Sequence, residues 1–284
     1  MAAEDAAATA ALLPELSSPY RLSPAQIAQF RKNGHVRLPA VCSPAEVEAY
    51  GHIISREAFG VWDEAGATGQ GRHFLQTLNL RHRHPGILKY VLAERFGRIV
   101  AELIGCEAVR IFHEQALFKE GGGGPTPWHQ DQYYWPIDTM AVGMWMPLVD
   151  VSKDMGPIRF ASGSFHDGYL GPHPISDESQ HHFEEYVSAR GFPRHVEAMK
   201  AGDATFHNAF IVHGASANLT AKLRAAMVVT FYPDGTRCGE LLNPSRAGDA
   251  KTFLGGKAPG ELCDNDETNP IVYDARRGGG SGRL

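Results

Sequence analysis

Cysteine is scarce in this chain of 284 residues: the four present, Cys42, Cys106, Cys238 and Cys263, stand far apart and form no Cys-x-x-Cys pair. This spacing excludes a disulfide framework and a zinc-thiolate site, and it points to a reducing compartment, the cytoplasm. Basic residues are in no excess. With 27 Lys and Arg against 32 Asp and Glu the formal charge is -5, so the chain as a whole offers no cationic footprint to nucleic acid. No Lys or Arg precedes Leu12-Leu13, so the basic start of a secretion signal is missing. Apolar runs stay well short of the roughly 20 residues that a membrane span requires. No repeat of fixed period is visible, which removes solenoids and propellers. Histidine, by contrast, is plentiful at 14 residues, a stock of side chains that titrate near neutrality and bind metals.

The first third reads as helical. Ser23-Pro24 before Ile27 and Phe30, with Gly34 as a stop, places an N-cap, a first-turn proline and a C-terminal glycine in the order helices use them. Ser43-Pro44-Ala45-Glu46 is a capping box leading into Val47, Tyr50 and Ile54. Pro85 opens a third, longer helix, with Leu88 to Leu103 at helical spacing until Gly105. From Ala108 the period changes to two, in short runs at 108–119, 142–150, 158–160, 204–207 and 225–232. Many short strands behind N-terminal helices predict a mainly β sandwich or barrel with the helices packed on it. Residues 1–18 are expected to be a disordered segment, 19–275 a single domain with an insertion near 172–193, and the glycine-rich 276–284 a flexible tail.

An iron site of the facial-triad type takes two imidazoles and one carboxylate on one side of the metal and leaves the other positions open. His129-Gln130-Asp131 offers two such ligands at i and i+2, on one face of a strand. His182/Glu184 and His195/Glu197 have the same spacing. The first lies in a segment of helical composition, where i and i+2 diverge and the pair reads as a solvated face. The second stands too near His207 and His213 for strands to intervene. A third ligand comes from His207 or His213. His213 is favoured because Arg224, eleven residues on, heads an apolar strand, where its planar fork can clamp a carboxylate.

Pro127-Trp128-His129-Gln130-Asp131, then Gly156-Pro157-Ile158-Arg159-Phe160-Ala161-Ser162-Gly163-Ser164 with His166, Gly202-Asp203, His213-Gly214 and Arg224 together resemble the phytanoyl-CoA dioxygenase family of iron(II)/2-oxoglutarate oxygenases, from about Gly34 to Tyr232. The resemblance implies a double-stranded β-helix, of jelly-roll or cupin-like type, with His129, Asp131 and His213 as iron ligands and Arg224 holding the distal carboxylate of 2-oxoglutarate. It further implies that Gln115 and Trp145 line the co-substrate pocket, and that O2 is consumed with decarboxylation to succinate. Where the family often has serine after His213-Gly214, this chain has Ala215 followed by Ser216. Because Asp131 keeps the carboxylate ligand, the resemblance implies hydroxylation, ring closure, epimerisation or desaturation rather than halogenation.

Tyr133, Tyr134 and Trp135, with Phe74 and Trp62, supply flat walls for a bulky ring system, and His113, near Gln115, faces inward. Without a basic cluster for the phosphates of coenzyme A, a free small molecule is the expected substrate, such as an intermediate in antibiotic biosynthesis. Two other readings stand beside the oxygenase: a non-catalytic ligand-binding protein on the same scaffold, and a cupin-type metal protein without 2-oxoglutarate. Arg224 separates them from the first.

Overall fold

The computed structural model describes residues 2–64 and 74–277. The described elements run α1 (Ala2–Ala11), α2 (Pro24–Asn33), β1 (His35–Leu38), α3 (Pro44–Glu64), β2 (Phe74–Leu78), α4 (Pro85–Val91), α5 (Glu94–Ile104), β3 (Ala108–Lys119), β4 (Thr126–His129), β5 (Val142–Pro147) and β6 (Ile158–Ala161). They continue with α6 (Asp177–Arg190), β7 (Arg194–Val196), β8 (Ala204–Asn208), β9 (His213–Ala215), β10 (Arg224–Pro233), α7 (Pro244–Phe253) and β11 (Ile271–Asp274). A seven-stranded antiparallel sheet in the order β1-β8-β5-β10-β3-β11, with β2 also on β3, faces a four-stranded sheet in the order β4-β9-β6-β7. This is the double-stranded β-helix, with the N-terminal helices on the outer face of the larger sheet.

Side-chain alternation explains the layering. On β10, Ala225, Met227, Val229 and Phe231 join the helix-side core, whereas Ala226 and Val228 belong to the interior between the sheets. On β5, Val142, Met144 and Met146 face the helices and Trp145 faces inward. A bulge interrupts β3 at Phe112, where Thr230 pairs with His113 and the next residue of β10 with Ile111. Before it Val109 and Ile111 face the helices; after it the parity reverses, and His113, Gln115 and Leu117 face inward. Opposite them, α5 presents Phe96, Ile99, Val100 and Leu103, all fully buried, each contributing roughly 1.5–3 kcal/mol.

The helix signals at Ser23 and Ser43 hold. Ser23 and Gln26 form a reciprocal capping box, and the Ser43 amide donates to Glu46 Oε2 at 2.7 Å. The long helix from Pro85 breaks in two at Leu92-Ala93, since Ala93 is extended at φ -60, ψ 121. The Arg95 amide exposed by that break donates to the Leu16 carbonyl at 3.2 Å. The same contact ties α5 to Leu16, within the segment 1–18 expected to be disordered. Ala2–Ala11 is helical, Leu16 is buried, and Tyr50 Oη donates to the Pro14 carbonyl at 2.6 Å. An alanine run has the best intrinsic helix propensity, and Leu16 supplies apolar burial that composition alone did not reveal. The insertion at 172–193 is α6, packed on β4. Arg276 pairs with Asp274 at 2.7 Å, while the expected tail beyond residue 277 lies outside the described residues. All four cysteines are free, and no described helix is long and apolar enough to cross a membrane.

Candidate metal centre and active-site cavity

β4 and β9 pair so that His129 lies directly opposite His213, which brings the two rings to 4.2 Å between centroids. Asp131 does not continue the strand. β4 ends at His129, and Asp131 opens a single 3-10 turn that curls its carboxylate back over the histidines. Asp131 Oδ1 is 3.6 Å from His129 Nε2, and Oδ2 is 3.7 Å from His213 Nε2. Among the described residues these three form the one group whose donor atoms converge, all within 4.8 Å of one another. His129 Nδ1 donates to the Pro127 carbonyl at 2.8 Å, and His213 Nδ1 to that of Ile211 at 3.2 Å. Each Nε2 is thereby left as a lone-pair donor facing the carboxylate, the tautomer a metal requires. Burial, with His129 beside it, pushes His213 down to about 3, so it is neutral at pH 7. Burial would raise the Asp131 carboxyl, but the surrounding histidines outweigh it and hold the group well below the usual range. Two imidazoles and a carboxylate suit a divalent iron, and the donor set fits it.

His207, the other contender for third ligand, sits on β8 with Nε2 3.6 Å from Asp131 Oδ2 and its ring 4.9 Å from that of His213. It lies beside the ligand group rather than in it. A Cβ at Gly143, opposite it on β5, would come within 2.7 Å of the His207 ring, so glycine there makes room for the imidazole.

Neighbouring motif residues brace the ligands. Trp128 Nε1 donates to Glu184 Oε2 of α6 at 2.9 Å, under the Arg159 guanidinium 4.2 Å from its ring. Glu184, expected on a solvated face, is therefore the anchor that holds α6 behind β4. Gln130 Nε2 donates to the carbonyls of Gly168 and Phe210, and its Oε1 accepts from the Leu170 amide at 2.8 Å. Ser164 Oγ accepts from the Val212 amide at 2.9 Å, one residue before His213. Gly156, at φ +69, lies where a Cβ would meet the Ser216 carbonyl at 2.3 Å, so only glycine closes that turn. His195 pairs instead with Glu197 at 3.0 Å, away from the metal group.

The triad opens into a cavity of about 360 Å³ between the two sheets. Arg224, the first residue of β10, is 2% exposed and lines it. Its Nη1 donates to the Leu117 carbonyl at 3.0 Å and its Cζ lies 5.6 Å from the Trp145 ring, but Nε is buried without a partner. No described carboxylate pairs with it. Burial pushes the guanidinium down to about 10, so it stays charged at pH 7 and calls for an anion. Directly across the ladder on β3 stands Lys119, fully buried, its Nζ donating to the Ser216 carbonyl at 2.9 Å. Burial, with Arg224 and Arg159 near, pushes this ammonium down to about 7. Gln115 and Trp145 line the same end, and Gln76 of β2 donates to Gln115 Oε1.

Of the expected substrate contacts, Phe74, Tyr134, Trp135 and His113 line the cavity. Tyr133 does not: its ring packs edge-on against Tyr134 at 4.7 Å, and its carbonyl accepts from Asn243 and Arg246. Trp62 is also elsewhere, wedged edge-on between Phe59 and Phe118 in the helix-side core. Burial, with Arg81 nearby, holds His113 neutral, down at about 4, against the pull of Asp131. Sequence reasoning missed Gln76, Lys119, and the α7 residues Asp249 and Phe253. Only Lys119 carried a signal, as a cation at an inward parity of its strand.

The model of the phytanoyl-CoA dioxygenase (PhyH) family matches residues 30–226. A 2-aminoethylphosphonate dioxygenase from an uncultured bacterium, HF130_AEPn_1, is 26% identical over 217 residues, spanning 72% of this chain and 80% of the relative. Among solved structures, the alpha-ketoglutarate-dependent carbocyclase SnoK of nogalamycin biosynthesis superposes with a TM-score of 0.72 at 22% identity, over 90% of this chain and 100% of that one. The epimerase SnoN of the same biosynthesis gives 0.71 at 22% identity, over 88% and 98%. EctD of S. alaskensis, solved with 2-oxoglutarate and 5-hydroxyectoine, gives 0.63 at 21% identity, over 89% and 92%. With the family's span covering β1 through the head of β10, and thus both histidines, the aspartate and the buried arginine, the chain belongs to the phytanoyl-CoA dioxygenase family.

Proposed function

We propose that this protein is an iron(II)/2-oxoglutarate-dependent dioxygenase in which His129, Asp131 and His213 hold the metal and Arg224 holds the distal carboxylate of the co-substrate. The observation that carries the reading is that the triad and a buried arginine without an acidic partner open into one cavity. When bound, the iron and 2-oxoglutarate supply the oxidising chemistry, with O2 as oxidant and succinate as co-product. The protein's own part is positioning. The Pro127 and Ile211 carbonyls fix both imidazole tautomers. Trp145 and Val228 keep water from the Arg224 end, which strengthens the carboxylate clamp, while Gln115 offers an amide beside it.

At about 360 Å³ the cavity lies near the lower end of small-molecule sites. Co-substrate fills the deep part, and a bulky substrate has only its reacting end inside, against Phe74, Tyr134, Trp135 and His113. SnoK and SnoN, named for a carbocyclase and an epimerase of antibiotic biosynthesis, support a substrate from secondary metabolism and the removal of hydrogen from an unactivated C-H bond. The outcome is hydroxylation, cyclisation or epimerisation. Four free cysteines support a cytoplasmic site of action. Anaerobic titration of the iron(II)-loaded protein with 2-oxoglutarate tests the reading. A visible metal-to-ligand charge-transfer band is expected; bound iron without a band refutes the oxygenase and leaves a cupin-type metal protein.

A further inference from the structure

One charged group in the cavity wall is used neither by the metal nor by the co-substrate. Asp249, on α7, lines the same chamber as Tyr134, Trp135 and Phe253. Among the described residues no hydrogen-bond or ion-pair partner reaches its carboxylate. The nearest cation along the helix, Arg246 at i-3, is turned away and spent: its guanidinium donates to the carbonyls of Gln132, Tyr133 and Glu240 and lies 5.3 Å from the Tyr169 ring. Lys251, at i+2, points to another side of the helix and is exposed.

The surroundings of Asp249 are aromatic. Phe253, one turn on, shares its helix face and lies tilted against His113 at 4.8 Å, which meets Trp135 edge-on at 5.8 Å. A carboxylate drawn out of water without a donor is unfavourable until something pairs with it. Burial alone pushes this carboxyl up to about 7, and no nearby cation opposes the rise. An unpaired carboxylate in a cavity wall that also holds Tyr134, Trp135 and Phe253 matches an alkylammonium group, which gains an ion pair and aromatic rings to lie against. A neutral alcohol gains a hydrogen bond and no more. An anionic group at that position is repelled by Asp249.

We propose that the substrate carries a protonated amine, and that Asp249 with its aromatic surround binds that amine and so fixes which carbon faces the His129–Asp131–His213 group. The inference deepens the oxygenase reading and rests on it for the word substrate, although amine recognition itself needs no iron. Two chemically matched probes, phenylpropylamine and phenylpropanol, are titrated into the full chain by calorimetry at pH 8, without turnover. Wild type is expected to prefer the amine about tenfold, Asp249→Asn to bind the two alike, and Asp249→Glu to keep part of the preference. Equal binding of both probes in wild type, binding of neither, or an amine preference that survives in Asp249→Asn overturns the proposal. Iron(II)/2-oxoglutarate titration of the same three proteins separates the two readings. An Asp249-dependent amine preference without the charge-transfer band sinks the oxygenase and spares the amine site; the band without the preference does the reverse. An intact band in Asp249→Asn also shows that the variant is folded.

Discussion

Replacing Arg224 by methionine is expected to act with opposite signs on ligand affinity and on folding. The side chain is 2% exposed, and burial lowers its guanidinium from its ordinary value to about 10. That shift corresponds to about 3 kcal/mol spent on keeping the cation out of water. In the free protein this cost is offset only by one hydrogen bond to the Leu117 carbonyl, about 1–1.5 kcal/mol, and by contact with Trp145. Methionine keeps most of the contact and none of the charge. Arg224→Met without ligand should therefore be more stable by about 1–2 kcal/mol in urea denaturation. With 2-oxoglutarate the sign reverses: losing one partner of a buried charge pair costs about 2–5 kcal/mol, or roughly 30-fold to several-thousand-fold in Kd. Arg224→Lys, which keeps the charge but loses the fork, should fall between. The assay is the charge-transfer band followed against 2-oxoglutarate concentration, beside urea melts of the same preparations. A Kd within threefold of wild type, or a ligand-free Arg224→Met destabilised by more than about 2 kcal/mol, would make Arg224 a structural strut and refute the reasoning.

Asp249→Asn should change the pH dependence of stability. A carboxyl raised to about 7 in the fold, from 3.8, destabilises the protein increasingly as pH rises from about 4 and fully above 7. The asparagine variant should match wild type at pH 4 and exceed its Tm at pH 8, and equal melting at both values would count against an unpaired carboxylate. Gly143→Ala drives a Cβ to 2.7 Å from the His207 ring, and should cost about 1–3 kcal/mol; adding His207→Ala should recover most of it in urea melts, and no recovery would place the strain elsewhere. Gln130→Leu removes three hydrogen bonds that tie the ligand turn to 168–170 and Phe210, so iron affinity, read by competition with a chelator, should fall about tenfold or more; unchanged affinity would mean the turn holds its shape alone.

Much of this arrangement was legible because the relevant signals are local. Ser23, Ser43 and Gly34 act through bonds to their own neighbours, and the period of two in β3, β5 and β10 follows from each strand having a helix side and a cavity side. His129 and Asp131 are two residues apart, and Arg224 is a fixed step from His213. The unread features depend on distant partners. The break at Leu92-Ala93 has no proline or glycine to mark it, and the apolar pattern runs straight through because both helices bury their apolar residues in one helix-side core. Leu13, Pro14 and Ser18 are tied down by Lys89, Tyr50 and Arg95, none of them close in sequence. Trp62 and Tyr133 look like cavity walls by composition, and only the fold turns the first into the helix-side core and the second onto Tyr134. Asp249 lies in a polar helix, and nothing nearby in sequence says that its carboxylate goes without a donor.

The extra residue at Phe112 bears on how this scaffold tolerates change. Because the ladder is reset there, the lower half of β3 answers to α5 and β11, and the upper half to the reaction chamber, with no shared register to keep. Substitutions at Val109 and Ile111 can follow the helices without turning His113, Gln115 or Lys119. Loss of that single residue would undo the separation: every side chain of one half would swap sides, sending the histidine, the glutamine and the buried lysine into the oily layer and its hydrophobic neighbours into the chamber. A backbone irregularity that interrupts the ladder is thus what lets one strand serve as structural beam along one half and chemical wall along the other.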